Sequence, residues 1–197
     1  MSEYLHLIEK RRSNYDLGRN VTATKEEINE LIATVVHHNP SSYNSQSTKV
    51  IVLYDLEHDD FWDLVSNQLE KIVAPERFPA TKKKIEGFKK AFGTVLFFED
   101  ESITGDLVKK YPSYAQNFRI WAQQANAMVQ YGIWVGLGVM SLGGSLQHYN
   151  EVIETAVWQA YDLDRSWRLI AQMPFGSIES APNEKAKKIE GRMIIKE

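Results

Sequence analysis

The sequence predicts a single α+β domain in which a small central sheet, antiparallel or mixed, is flanked by helices. Three observations support this fold class. Short runs rich in β-branched and aromatic residues, typical of strands, alternate with longer segments whose apolar residues have helical spacing. One helical segment is long and hydrophobic enough to form the centre of the core. No repeat or linker divides residues 1–197, so we expect one domain.

The N-terminal part predicts two helices followed by a strand. The residues EYLHLIEKRR indicate a short helix that ends near Ser13. A second helix lies in TATKEEINELIATVVHHN, where Thr24 and Glu27 have the spacing of a capping box and Pro40 follows the end. The β-branched run Lys49–Asp55 then predicts a buried strand.

The middle of the chain predicts two helices and a second strand. The segment DDFWDLVSNQLEKIV has apolar residues on one helical face, and KKIEGFKKAF indicates a shorter helix. The run Thr94–Asp100 predicts a strand. The acidic residues of FEDES, where this strand ends, are interpreted as a solvated edge.

The longest helical pattern spans Tyr114–Leu142. If it is continuous, this helix is about 40 Å long. Its second half is apolar on nearly every side, which indicates the central core helix or a subunit interface. Asn150 is predicted to N-cap the next helix, Ser166–Gly176 to form a third strand and residues 192–197 a fourth.

Composition and motifs exclude several classes of function. The chain has no Cys, and its five His lack the H-x-x-x-H and H-E-x-x-H spacings, so no metal is expected. A net charge of −3 indicates no nucleic-acid partner. The apolar run YGIWVGLGVMSLGG is too short to span a bilayer, and the N-terminus lacks a signal-peptide pattern, so a cytoplasmic location is expected. Walker, nucleophile-elbow and Rossmann motifs are not matched.

Two polar segments in the N-terminal part can bind a ligand. In KRRSN, the guanidinium groups of two arginines and a serine hydroxyl suit a phosphate, although cations at a helix C-terminus are also favoured by the helix dipole. In PSSYNSQS, hydroxyls and amides can bind the edge of a heterocycle and a polyol, or else satisfy their own backbone in a turn.

Two further segments lie in the C-terminal part. In LGGSLQHYN, two glycines after the long helix allow a ligand to approach the backbone closely, or simply end the helix. In KKIEGRMIIK, the cations Lys187, Lys188 and Arg192 can return to the same anion, or form a solvated basic tail.

Taken in order, RRS, PSSYNSQS, GTVLFFED, GGSLQHYN and QMPFGSIE resemble the FMN-dependent nitroreductase family, specifically its short branch, the fatty-acid-repression-mutant type. The resemblance runs from about residue 4 to residue 195. It implies the nitroreductase-like fold and a homodimer with FMN at the subunit interface. A basic residue that many relatives carry two places after the RRS serine is replaced here by Tyr15, which leaves the reduction potential open.

The resemblance also implies a set of FMN-binding residues. Arg11, Arg12 and Ser13 match the segment that binds the phosphate and ribityl side. The polar loop, which reaches the flavin bound mainly by the other subunit, is matched by Ser41, Ser42, Asn44 and Gln46. Gly143, Gly144 and Ser145 match the segment whose backbone lies near flavin N5. Arg192 and, more weakly, Lys188 match a C-terminal cation on the phosphate.

The function implied is an NAD(P)H-dependent flavin oxidoreductase. FMN would take hydride from NADH or NADPH and reduce a small aromatic acceptor, nitroaromatic or quinone-like, by a ping-pong scheme. No catalytic side chain is expected, because flavin N5 carries the chemistry. Two alternatives stay open: a flavin-binding redox-sensing or regulatory protein with incidental turnover, and a structural dimer that has lost its flavin.

Overall fold

A computed structural model describes residues 2–196 of the chain. The helices are α1 (Glu3–Lys10), α2 (Lys25–His38), α3 (Asp55–Glu70), α4 (Phe78–Lys89), α5 (Glu101–Lys110), α6 (Ala115–Val139) and α7 (Asn150–Ala160). The strands are β1 (Leu17–Gly18), β2 (Thr48–Tyr54), β3 (Gly93–Asp100), β4 (Leu142–Gly144) and β5 (Trp167–Ile178). Two short 3₁₀ turns occupy Ser42–Asn44 and Pro112–Tyr114.

The five strands form one sheet in the order β1-β5-β3-β2, and β4 also pairs with β5. Each of these strand pairings is antiparallel. The long strand β5 therefore has neighbours on both sides, while β2 lies at an edge. The prediction of an α+β domain with a small central sheet is confirmed, with the antiparallel arrangement in place of a mixed one.

Helices cover both faces of the sheet because alternate residues of β3 point to opposite sides. On one side, Val95 and Phe97 join a cluster with α2 and α6. On the other side, Leu96 and Phe98 pack with α3, α4 and α7. All eight residues of β3 are buried, which explains its continuous apolar sequence.

The two helices that the sequence indicates most clearly form as predicted. The capping box at the start of α2 is complete: Thr24 Oγ1 accepts from Glu27 N at 3.1 Å, and Glu27 Oε2 accepts from Thr24 N at 2.8 Å. Helix α6 has 25 residues and is about 37 Å long. It carries nine buried residues and packs along the sheet, so it is the central core helix.

The prediction that Asn150 N-caps α7 is wrong. Its Nδ2 donates to Ile170 O at 2.7 Å, and its Oδ1 accepts from Gln172 Nε2 at 2.6 Å. Gln172 Oε1 in turn accepts from Tyr149 N at 2.9 Å. A tertiary contact with β5 thus takes the place of the local cap.

The prediction of a fourth strand at the C-terminus is also wrong for residues 192–196, and Glu197 lies outside the described residues. Residues 193–196 have no regular structure, and the side chains of Met193, Ile194 and Ile195 are exposed. The extra partners of β5 are instead β1 and β4, which have two and three residues. Such short strands carry no periodicity that a sequence pattern can reveal.

Two burial predictions need correction. Strand β2 is half-buried for most of its length, since it is an edge strand with one neighbour. The acids that end β3 are buried, because α5 begins at once: Glu99 and Asp100 are 5% and 7% exposed. Asp100 Oδ1 caps α5 by accepting from Ser102 N at 3.1 Å.

Helix α1 ends at Lys10, three residues earlier than Ser13, so the arginines that follow belong to an extended segment. None of the helices within residues 2–196 combines the length and the apolar composition that crossing a bilayer requires.

Candidate functional site

A cavity of about 230 Å³ lies where the C-terminus of α1 meets the C-terminal half of α6 and strand β4. We call it the arginine cavity, because Lys10, Arg11 and Arg12 line it. Asn14, Trp134 and Gly143 are also among its lining residues, and none of the residues that line it is acidic. The arrangement therefore favours a ligand that carries negative charge.

The two arginines of this cavity are held in place without acidic partners. The Arg11 guanidinium lies over the Trp134 ring, with Cζ 4.4 Å from the ring centroid, which is cation–π geometry. Arg12 Nη2 donates to the Asn183 carbonyl of the C-terminal segment. The ion pairs found among residues 2–196 include neither arginine. Both charges are available to an anion, and guanidinium groups bind phosphate with strong, charge-assisted bonds.

Backbone contacts align the segment after α1 with strand β4. Ser13 forms a parallel bridge with Gly144, and Asn14 N donates to Gly144 O at 3.0 Å. Trp134 Nε1 donates to the same carbonyl at 3.1 Å. The structure thus brings together six of the predicted residues: Arg11, Arg12, Ser13, Gly143, Gly144 and Ser145.

Gly143 is required by close packing at this junction. A Cβ atom at Gly143 would lie 2.7 Å from Ile178 Cγ1 and 2.8 Å from Asn14 Nδ2. Asn14 Nδ2 also donates to the Arg12 carbonyl at 3.1 Å, so the glycine lets Asn14 hold the arginine segment in position.

Ser145 is placed differently from the glycines. It is completely buried, its N–H donates to Pro174 O at 3.3 Å, and its Oγ accepts from Gln147 Nε2 at 3.1 Å. Its hydrogen-bonding groups are therefore used within the chain, whereas Gly143 lines the cavity directly.

The polar loop, residues 40–47, adopts an unusual backbone conformation. Tyr43, Asn44 and Gln46 have φ values of 55°, 52° and 51°, the left-handed region that non-glycine residues rarely occupy. Ser41 stabilises the loop, because its Oγ accepts from Gln46 N at 3.0 Å. Asn44 and Gln46 remain exposed, so their amides face outward.

A larger cavity of about 700 Å³ lies beside this loop, between α2 and the edge strand β2. Ser41 and Gln46 line it together with Lys49, Val129 and Trp167. We call it the polar-loop cavity. It shares no lining residue with the arginine cavity.

Within one chain, the structure does not bring the polar loop to the arginine cavity. Tyr43 contacts Phe118, at the start of α6, with ring centroids 5.3 Å apart. Arg11 instead contacts Trp134, near the end of the same helix. The two contact points are separated by about 24 Å along the helix axis.

The predicted C-terminal cations also stay away from the arginine cavity. Lys188 and Arg192 lie on an exposed segment without regular strands or helices, and neither lines the cavity. Arg192 Nη1 donates to Lys188 O at 3.4 Å. The C-terminal part of the chain meets the cavity through Ile178, which lines it, and through the contact between Arg12 and Asn183.

Sequence reasoning missed an aromatic cluster beside the polar loop. Its members are Tyr43, Tyr111, Tyr114, Phe118 and Trp121, which contact one another with centroid distances of 5.0 to 6.5 Å. Tyr43 and Tyr114 are 54% and 44% exposed, so the cluster offers an open aromatic surface. The last four members have a helical spacing of three and four residues, a signal that the sequence did contain.

Lys10 and Asn14 begin and end the KRRSN segment that was predicted to bind a ligand, but no role was predicted for either of them, and Trp134 was not predicted at all. Lys10 and Asn14 are direct neighbours of the RRS segment. Trp134 gives no such signal, because it is one of many apolar residues in the second half of α6. Over residues 2–196, no group of three or more His, Asp or Glu side chains is arranged to hold a metal ion.

Comparisons with known proteins agree with this geometry. The model of the family described as "Nitroreductase family" matches residues 8–177. The Saccharomyces cerevisiae protein HBN1 is 32% identical over 94% of this chain and 93% of its own length. The nitroreductase FRM2 of the same yeast is 28% identical over 92% of this chain and 91% of its own length.

A similar solved structure is the nitroreductase CinD from Lactococcus lactis in complex with chloramphenicol. It superposes with a TM-score of 0.90 at 34% identity, covering 99% of this chain and all of the other. The same protein in complex with 4-nitrophenol gives a TM-score of 0.90 at 35% identity, with the same coverage.

Proposed function

Because the chain belongs to the nitroreductase family, in the short branch that includes yeast FRM2, we propose that it is an FMN-dependent oxidoreductase. It takes hydride from NADH or NADPH and passes electrons to a nitroaromatic or quinone-like acceptor. The observation that carries this proposal is the arginine cavity, where three cationic residues and no acidic residue face one space.

The residues of the arginine cavity fit the FMN phosphate. A phosphate monoester is close to a dianion at neutral pH, and Lys10, Arg11 and Arg12 can neutralise it. The Trp134 ring packs against one face of the Arg11 guanidinium, and its own N–H donates to Gly144 O. The N–H groups of Arg11 remain free to donate to a ligand. Gly143 also lines the cavity, so its backbone lies within reach of the cofactor.

FMN, when bound, supplies the redox chemistry, accepting hydride from a nicotinamide and reducing the acceptor. The chain's own residues bind the phosphate and fix the orientation of the flavin ring. The protons that the acceptor takes up on reduction come from solvent, so no side chain has to transfer one in this scheme. The donor and the acceptor occupy the same stacked position in turn, so we expect ping-pong kinetics.

We further propose that the flavin lies between two copies of the chain. The polar loop and the arginine cavity are on opposite parts of α6, too far apart for one cofactor to contact both in the same chain. In a symmetric dimer, the loop of one subunit can approach the arginine cavity of the other. Ser42, Asn44 and Gln46 would then contact the flavin of the second subunit.

The aromatic cluster supports an aromatic acceptor. It adjoins the polar loop through Tyr43, so in this dimer it would face the exposed side of the flavin. Aromatic rings bind flat aromatic ligands by stacking, at about 0.5–1.5 kcal/mol per pair beyond the area buried. The relative CinD is described in complex with chloramphenicol and with 4-nitrophenol, which are ligands of this kind.

The test is flavin binding and turnover. We expect the purified protein to bind FMN, to show the visible bands of oxidised flavin, and to lose them on anaerobic addition of NADH or NADPH. The Arg11→Ala variant loses charge-assisted bonds of about 1.5–3 kcal/mol, so its Kd for FMN should rise about ten- to hundredfold. The control is Arg77→Ala, at the exposed start of α4, which should bind FMN like the wild type.

Two results would contradict parts of the proposal. Equal FMN affinity of Arg11→Ala and the wild type would exclude the phosphate from the arginine cavity. A flavin that is reduced by NADH or NADPH but not reoxidised by any nitroaromatic or quinone would favour the redox-sensing alternative.

A further inference from the structure

A third cavity lies apart from the proposed flavin site. It has a volume of about 360 Å³ and is enclosed by the end of β3, by α5, by the first half of α6 and by the start of β5. It shares no lining residue with the arginine cavity or the polar-loop cavity. We call it the Glu99 cavity, after its most buried ionisable residue.

Glu99 has an unusual position in this cavity. Its side chain is 5% exposed, and Oε1 accepts from Thr104 Oγ1 at 2.6 Å. Oε2 is buried and has no hydrogen-bond partner among residues 2–196; the Ser47 hydroxyl beside it also lacks a partner at hydrogen-bonding geometry. Thr104 and Ser47 are thus the hydroxyl neighbours of this buried carboxyl group, and of these two residues Thr104 also lines the cavity.

Two arginines complete the polar lining. Arg119 projects from α6 and Arg168 from β5, and both line the cavity. Both arginines are exposed, and neither guanidinium belongs to an ion pair within residues 2–196. Two unpaired guanidinium groups at one cavity are the donors that a carboxylate prefers, since each can bind both of its oxygens.

Three other lining residues are aliphatic and can contact the hydrocarbon part of a ligand. Val108, Ala122 and Ile170 contribute aliphatic surface. The volume is at the small end of the range for ligand pockets, about 300–1,000 Å³. The acids Glu99 and Glu101 also line the cavity, so its lining holds as many carboxyl groups as guanidinium groups, which disfavours a phosphate dianion.

We propose that the Glu99 cavity binds a small organic monocarboxylate. The ligand carboxylate pairs with Arg119 and Arg168, and its hydrocarbon or aromatic part rests on Val108, Ala122 and Ile170. Burial raises the pKa of the Glu99 carboxyl above its ordinary value, although the hydroxyls of Thr104 and Ser47 act in the opposite direction. A raised pKa favours the neutral carboxyl group, which is the form that does not repel a ligand carboxylate.

The test uses benzoate as the probe and the purified full-length protein, by isothermal titration calorimetry. We expect measurable binding of benzoate and none of neutral benzamide. The double variant Arg119→Gln/Arg168→Gln should bind benzoate at least tenfold more weakly. The matched control is Arg165→Gln, which removes an exposed arginine three residues from Arg168 and should bind benzoate within twofold of the wild type.

A second pair of variants locates the ligand without changing charge. Gly105 lines the cavity, and a Cβ atom there would meet nothing within 4 Å, so Gly105→Phe should fill the space and abolish benzoate binding. Gly87 on α4 has equal room but lines none of the cavities described above, so Gly87→Phe should leave binding unchanged. Thermal unfolding of each variant verifies that it is folded.

Three outcomes would overturn the proposal. The first is an absence of benzoate binding to the wild type. The second is wild-type affinity in a folded Arg119→Gln/Arg168→Gln variant, which would place benzoate elsewhere, for instance against the flavin. The third is a double variant that changes only the dissociation constant of a dimer, which would assign the arginines to a subunit contact. The loss of affinity in the double variant and in Gly105→Phe distinguishes the Glu99 cavity from a flavin site, whether or not FMN binds as proposed.

Discussion

At the scale of single residues, His58 is the clearest buried ionisable group outside the cavities. It is fully buried on α3, where Nδ1 lies 2.8 Å from Thr94 Oγ1 and Nε2 lies 3.1 Å from Lys89 O. Trp62 Nε1 donates to the same Thr94 oxygen at 2.9 Å. A neutral ring that donates from Nε2 and accepts at Nδ1 satisfies every partner in this network.

Burial lowers the pKa of His58 from 6.5 to about 4. Because the folded pKa lies below the unfolded value, this group stabilises the fold above pH 6.5 and loses that effect as the pH falls towards 4. We expect the free energy of unfolding of the wild type to fall by about 2 kcal/mol between pH 7 and pH 5 from this group alone.

Urea denaturation at the two pH values measures the effect. His58→Gln should be less stable than the wild type at pH 7, yet lose less stability on going to pH 5. His148→Gln, which removes an exposed histidine, should keep the wild-type pH dependence. The same pH dependence in His58→Gln and the wild type would assign the acid sensitivity to other groups.

Residues with local partners could be predicted from the sequence, and residues with distant partners could not. Thr24 and Glu27 bond to each other three positions apart, so their pattern is visible in the chain. Asn150 looked like a cap by the same local rule, but β5 supplies its partners. Trp134 acquires its role from Arg11 and Gly144, which are distant in sequence or lie beyond the helix end.

At the scale of elements, strand β4 is short but fixes the arginine segment. Its three residues pair with β5, and Gly144 also bridges to Ser13. No pattern in the sequence predicts a three-residue strand, although GGS was identified as a segment that a ligand can approach. The sequence therefore did not predict strand β4, although Gly143 and Gly144 were predicted to belong to the candidate site.

A substitution in β4 tests this role. In Gly143→Ala, the new methyl group would overlap Ile178 and Asn14. We expect a loss of about 1–3 kcal/mol in the free energy of unfolding and weaker FMN binding, because Asn14 must release the Arg12 carbonyl.

Gly138→Ala is the matched control for this substitution. It lines the same cavity from α6, and its nearest neighbour would be Leu7 Cδ2 at an ordinary 3.7 Å. An alanine inside a helix is more stable than a glycine by about 0.5–1 kcal/mol. Urea denaturation and FMN titration of both variants provide the measurement, and equal behaviour of the two would show that β4 tolerates a side chain.

At the scale of the whole molecule, the main finding is the separation of two candidate half-sites along α6. The sequence contained both sets of residues, and the resemblance implied that they meet across a subunit interface. Composition and periodicity alone gave no distance between them, because that distance depends on how α6 packs against the sheet. The length of α6 therefore explains why the predicted residues of one chain form two separate half-sites, which a dimer could bring together.

Mixed dimers test whether one flavin site uses two chains. Arg11→Ala and Asn44→Ala subunits, mixed in equal amounts at an FMN concentration where each variant alone is mostly empty, should regain flavin in about one quarter of sites. This fraction follows because half of the dimers are mixed and each contains one intact site. Flavin absorbance after removal of free FMN gives the occupancy.

The control mixture combines Arg11→Ala with Arg12→Ala. Both substitutions affect the arginine half of the site, so every mixed dimer still has two defective sites and no flavin should be regained. Recovery in neither mixture would indicate that each chain binds its cofactor alone.

The left-handed residues of the polar loop have a consequence for how a ligand is recognised. Each such residue costs about 1–2 kcal/mol relative to a right-handed or extended conformation. Tyr43, Asn44 and Gln46 incur this cost when the chain folds, before any ligand is present. A ligand therefore meets a surface that is already shaped, so little further ordering of the loop is needed when it binds. These residues lower the free energy of unfolding of the chain, and in return its contact surface is preorganised.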